Sequence, residues 1–115
     1  MPWRKLNLNK WSVEYLPAAI QDRKKLDGST RKIVDKAIDK VSTNPLPASE
    51  GGYGKPLGNK DGNNLTGLMK VKLKASGIRI IYQLIRDNSV MKIVIIGIRE
   101  DSEVYREAST RMKNK

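Results

Sequence analysis

Lys70-Val71-Lys72-Leu73-Lys74-Ala75-Ser76-Gly77-Ile78-Arg79 is the stretch that decides the fold. Apolar and basic residues alternate from Lys70 to Lys74, the period of a half-buried strand. Ser76-Gly77 reads as a two-residue turn, with Gly77 taking the positive φ that a tight hairpin needs. Ile78 to Ile85 is the returning strand. With that turn, Lys74 faces Arg79, Lys72 faces Ile81 and Lys70 faces Gln83. Directly paired residues point to one side of a sheet. Lys70, Lys72, Lys74 and Arg79 therefore share one face, and Val71, Leu73, Ile80 and Tyr82 share the other. No acidic residue occurs from Gly62 to Arg86. Four cations on one face without a counter-charge read as a phosphate site.

Composition points to the partner. The 115 residues carry a formal net charge of +11, with a sequence pI of about 10.0, which favours a polyanion such as nucleic acid. The plainer reading is a basic protein with solvated lysines. The length suits one domain with one core, spanning residues 1–115, with 1–10 and 113–115 as loose ends. Cysteine is absent, which excludes disulfides and thiolate catalysis, and histidine is absent, which excludes His-ligated metal. No cofactor or metal is called for. With no apolar run of membrane-spanning length and no signal-peptide core, the expected location is the cytoplasm.

Upstream of the hairpin, Trp11 to Tyr15 suggests a first strand. Pro17 opens a helix to Leu26, and Ser29 is placed to cap the next. In that second helix Ile33, Val34, Ala37, Ile38 and Val41 recur at three- and four-residue spacing, and Asn44-Pro45 ends it. Its one opposite-sign pair at four, Arg31–Asp35, is offset by like-sign pairs, so charge pairing is assigned no stability. Pro45 to Asn64, rich in Pro, Gly and Asn, reads as a long loop of the functional or mobile kind. Lys55 and Lys60 read as solvated loop lysines rather than phosphate contacts. Val90 to Ile98 is nearly all apolar, as in an interior strand. Asp101 or Ser102 then caps a last helix, Ser102 to Met112. The order predicts an α+β fold: an N-terminal strand and helical hairpin packed on a mainly antiparallel four-stranded sheet, with a short C-terminal helix.

Such a cluster could cleave RNA without metal or histidine. The 2′-hydroxyl attacks the adjacent phosphorus, and clustered cations stabilise the developing charge. Mutual repulsion disfavours the protonated form of each lysine, making one a better base, though spacing does not say which. An arginine clamps phosphate bidentately. Tyr105 has two readings, a base- or sugar-contacting side chain or a packed helix residue beside Ala108 and Met112.

Lys70 to Gln83 closely resembles the central hairpin of RelE toxins in the RelE/ParE superfamily, and Arg99-Glu100-Asp101-Ser102-Glu103-Val104-Tyr105-Arg106-Glu107-Ala108 resembles their C-terminal segment. The resemblance implies a type II toxin–antitoxin toxin that cuts mRNA in the ribosomal A site and is held inactive by its antitoxin; the free toxin is expected to be a monomer. By position it implies that Lys70 and Lys72 stabilise charge or exchange protons. Arg79 would hold the transition-state phosphate, Arg99 would assist the leaving group, Tyr105 would contact the nucleotide, and Lys74 would contact RNA. Two features differ: the Pro45–Asn64 loop is longer than in the best-known RelE toxins, and Met69 stands where an aromatic is common. The alternatives are a ParE-like DNA gyrase inhibitor, which generally lacks these Lys, Arg and Tyr residues, and a non-catalytic RNA-binding module. The C-terminal helix is short and terminal, with a narrow stripe of Val104, Ala108 and Met112. It is therefore expected among the least stable elements and as the one an antitoxin displaces.

Overall fold

The computed structural model describes residues 10–60, 62–98 and 100–114. The expected loose ends at 1–9 and at Lys115 lie outside them. Five strands and three α-helices follow one another as β1 (Ser12–Tyr15), α1 (Pro17–Lys24), α2 (Gly28–Val41), β2 (Lys55–Lys60), β3 (Asn63–Leu73), β4 (Ile78–Ile85), β5 (Val90–Gly97) and α3 (Asp101–Lys113). The sheet order is β1-β5-β4-β3-β2. Only β1 and β5 run parallel, so the α+β class and the mainly antiparallel sheet hold.

Among the described residues the expected four strands are corrected to five. Residues 55–60, read as loop from their Pro and Gly, form the edge strand β2, where a missing N–H is tolerated. Lys113, expected in the tail, closes α3. The segment between α2 and β2 is not loose either. Gly54 N–H donates to Leu46 O at 3.0 Å and Ala48 N–H to Gly54 O at 2.8 Å. Arg86 grips the Glu50 carboxylate with two nitrogens, at 3.1 and 2.6 Å. From the sheet, the buried Tyr82 hydroxyl donates to Pro45 O at 2.6 Å. A Cβ on Gly54 would lie 2.4 Å from that hydroxyl, so glycine is needed for the close approach.

The hairpin register also differs. Lys72 pairs with Arg79 and Lys70 with Ile81, because the connection is four residues, Lys74 to Gly77, rather than two. Ser76 and Gly77 N–H both point to Leu73 O, and Gly77 sits at φ +72°. A shift of two residues preserves which face each side chain takes; a shift of one would have reversed it. Lys70, Lys72 and Arg79 still share a face, and Lys74 moves into the turn.

Both faces are covered. Ile78, Ile80 and Tyr82 are buried on one face of the sheet, in a core that Val34, Ile38 and Val41 of the helical hairpin join. Ile81, Ile95 and Gly97 lie under α3, and a Cβ on Gly97 would meet Val104 Cγ2 at 2.9 Å. The helices are tied by charge in a way spacing did not reveal. Asp27, not Ser29, caps α2 by accepting from Thr30 N–H at 2.8 Å. Asp35 pairs with Arg23 of α1 rather than Arg31, and Arg31 instead donates to three carbonyls at the end of α1.

β1 covers β5 only as far as Ile93. Beyond it, the edge is capped by side chains. Ile96 N–H donates to Asp22 Oδ2 at 3.0 Å and Arg111 donates to Val94 O at 2.9 Å, while Arg111 and Asp22 pair at 2.6 Å. Among the described residues no helix is long and apolar enough to cross a membrane. Tyr82→Phe should cost about 1–2 kcal/mol, since it leaves the buried Pro45 carbonyl without its donor. Urea unfolding checks this, and an unchanged midpoint would contradict the staple.

Candidate RNA-cleaving site

Tyr105 lies on the buried face of α3, next to Val104 and one turn before Ala108 and Ser109. Its ring is therefore packed, as a core residue would be, yet its oxygen meets the basic face of the sheet. Lys70 Nζ donates to Tyr105 Oη at 2.7 Å and lies 5.3 Å from the ring centroid. The packed-helix reading of Tyr105 therefore holds, and its hydroxyl in addition meets Lys70.

Asp101, the first residue of α3, closes the cluster. Its Oδ1 accepts from Arg79 Nε at 2.5 Å and its Oδ2 lies 3.5 Å from Lys70 Nζ. Arg79 also donates from Nη1 to Gly77 O at 2.8 Å, which orients the guanidinium along the hairpin turn. Asp101 was expected as a helix cap. The cap position falls instead on Glu100, whose side chain makes no cap bond, and the Asp101 carboxylate is spent on the sheet. The notion of uncompensated cations is thereby corrected: the counter-charge comes from beyond β5, outside the stretch that lacks acids.

The side chains of Lys70 and Arg79 are only 9% and 15% exposed, whereas that of Asp101 is 41% exposed. Arg79 is thus largely buried rather than a solvated surface cation. Burying an ammonium and a guanidinium costs several kcal/mol per ion unless both are paired and hydrogen-bonded. Asp101 and Tyr105 supply those partners. Burial alone would raise the Asp101 carboxyl. The Arg79 hydrogen bond and the charges of Lys70 and Arg79 outweigh it and hold the group below the usual carboxylate range.

Lys72 is opposite Arg79 and exposed; Lys74 is exposed in the turn and stands apart from the buried cluster. Arg99 lies outside the described residues. One cation was missed. Lys55 on β2 pairs directly with Lys70, so it shares the site's face and is exposed at the sheet edge. Among the described residues, no carboxylate lies within 4.0 Å of Lys55, Lys72 or Lys74. Lys70, Arg79 and Tyr105 thus form a paired, half-closed centre, with exposed Lys55 and Lys72 on the paired positions beside it.

Comparison with known proteins bears on this arrangement. Residues 13–103 match the family described as ParE toxin of the type II toxin–antitoxin system parDE. A RelE-like toxin protein of Escherichia coli is 33% identical over 105 residues, covering 90% of this chain and 99% of its own. The mRNA interferase toxin RelE of Escherichia coli strain K12 is 31% identical over 103 residues, covering 87% and 95%. Among solved structures, a mutant of Escherichia coli toxin RelE in the free state aligns with a TM-score of 0.70 at 26% identity, over 90% of this chain and 98% of that one. The same mutant toxin bound to a peptide of antitoxin RelB aligns at 0.64 and 26% identity, over 86% and 94%. The chain belongs to the ParE toxin family of type II toxin–antitoxin systems. Within the RelE/ParE superfamily it is a RelE-type toxin.

The Asp101 contacts make a signed prediction about pH. A carboxyl depressed in the folded state stabilises fully above its unfolded value of roughly 3.9, and the contribution is lost as pH falls through the lower folded value. The stability difference between wild type and Asp101→Asn, measured by urea unfolding over a pH series, should shrink in acid. A difference that stays constant with pH would contradict the pairing.

Proposed function

We propose that this toxin is a ribosome-dependent mRNA endonuclease that cuts by attack of a 2′-hydroxyl on the adjacent phosphorus, without metal. The observation that carries it is the meeting of Lys70, Arg79 and Tyr105, from two strands and a helix, in a chain whose relatives include proteins named mRNA interferase. Arg79 would hold the two non-bridging oxygens as the phosphorane charge develops. Lys70 and Lys72 would stabilise that charge and move the proton of the attacking hydroxyl. Arg99 would assist the departing 5′-oxygen, and Tyr105 would contact the nucleotide. Lys74 would hold flanking phosphates, and the newly placed Lys55 extends that surface toward β2.

The ribosome supplies what these side chains cannot, an RNA strand held in line. Orientation of that kind is worth about 7–11 kcal/mol of a barrier. A cytoplasmic setting follows from that substrate. In a translation extract, Arg79→Ala should lower mRNA cleavage by roughly 10²–10³-fold, and Lys72→Ala comparably. Lys72→Ala is the cleaner probe, since an exposed residue should change stability by no more than about 0.5 kcal/mol. Parental cleavage by both variants would sink the proposal. The family profile carries the ParE name, which favours a second reading, inhibition of DNA gyrase. DNA breaks formed with gyrase, and intact mRNA, would decide for it.

A cognate antitoxin would silence the toxin by displacing α3, with an acidic, partly disordered segment drawn to the +11 surface. The premise that α3 is weakly held needs revision. Val104, Tyr105, Ala108 and Ser109 are buried, and the helix is tied down at Asp101 and again at Arg111. Displacement must therefore replace those contacts, and an apolar antitoxin helix in the vacated groove would do so. Hydrogen exchange should show residues 102–112 protected in the free toxin and altered in the complex. Identical protection in both states would rule the mechanism out.

A further inference from the structure

We propose that Asp101 is a resident anion of the phosphate site: in the free toxin its carboxylate stands where a substrate phosphate would stand, and RNA binds by taking its place. This rests on the reading of Lys70 and Arg79 as a phosphate site. One carboxylate divides its two oxygens between two cations on adjacent strands, Arg79 Nε at 2.5 Å and Lys70 Nζ at 3.5 Å. Two non-bridging phosphate oxygens would satisfy the same pair of donors. With Asp101 in place, the side chains of Lys70 and Arg79 are only 9% and 15% exposed, and the carboxylate between them faces solvent at 41%. Asp101 is also the most exposed member of the cluster and makes no helix-capping bond, so its side chain can swing into water without undoing the first turn of α3.

The exchange is local. Lys70 keeps its bond to Tyr105 throughout, so the helix stays docked while the carboxylate leaves. A tethered competitor acts at an effective concentration of roughly millimolar or above. Free RNA, which pays its own ordering cost, therefore meets a site already filled, whereas a strand presented in position by another macromolecule can displace the carboxylate. Asp101 so adds a threshold against stray RNA that the cations alone would lack.

The test is equilibrium binding of the intact toxin to a short single-stranded RNA methylated at every 2′-oxygen, which cannot be cut. Asp101→Asn should bind roughly tenfold more tightly, the size of one charge-assisted contact no longer opposed. Glu103→Gln, which removes the same charge two residues further along the helix at an exposed position, should gain less than about twofold. In an Arg79→Ala background the gain from Asp101→Asn should shrink, since only the longer Lys70 contact is left. Tightening by Asp101→Asn no greater than by Glu103→Gln, or a gain undiminished by loss of Arg79, overturns the proposal while leaving the phosphate site standing. If Arg79→Ala binds the RNA as well as the wild type does, the phosphate site falls and this inference with it.

Discussion

Lys70 and Arg79 sit on neighbouring strands with their charged ends beneath a helix, and neither could be withdrawn from water that far without a partner. The partner is Asp101. Its carboxylate at the start of α3 compensates both cations, and the Tyr105 hydroxyl one turn later accepts from Lys70. The helix is docked at its other end by Arg111, which pairs with Asp22 and covers the part of β5 that β1 does not reach. Apolar contact through Val104 and Ala108 fills the span between, each such side chain contributing up to about 1.5–3 kcal/mol. α3 is thus held by charge at its ends and apolar packing along its middle. Lifting it would return Lys70 and Arg79 to water, which repays part of what is lost.

Much of the fold was legible because its signals are local and periodic. The 3.6-residue stripe of α2, the alternation in β3 and the apolar run of β5 each name an element and a buried face. β2 was not legible in that way, since Pro56 and Gly58 masked its pairing. A cue did exist in Asp61-Gly62, a dipeptide suited to a two-residue hairpin, and Gly62 does adopt φ +79°. The hairpin turn was misjudged by two residues because Ser76-Gly77 is equally compatible with the tail of a four-residue loop. That error left the site intact, since strand faces repeat every two residues.

The site divides along the same line. Lys70, Lys72 and Arg79 were visible as one basic face from alternation alone; spacing left Tyr105 open between two readings, and the resemblance to RelE toxins implied the substrate-contacting one. Asp101 was hidden because its partner lies 22 residues away across two strands, and an acid at a helix start has an ordinary explanation as a cap. Lys55 was hidden with its strand. Pairings such as Asp35 with Arg23 or Arg111 with Asp22 depend on where helices land on the sheet, which no spacing rule encodes.

The central claim is that paired cations on this face promote attack by the RNA's own 2′-hydroxyl. The chemical ends of the cut mRNA test it most directly. Fragments recovered from a translation extract should carry a 2′,3′-cyclic phosphate, or the 2′- or 3′-phosphate it opens to, upstream of the cut and a 5′-hydroxyl downstream. A 3′-hydroxyl upstream with a 5′-phosphate downstream would mean that water, not the ribose, attacked the phosphorus, and would contradict the account.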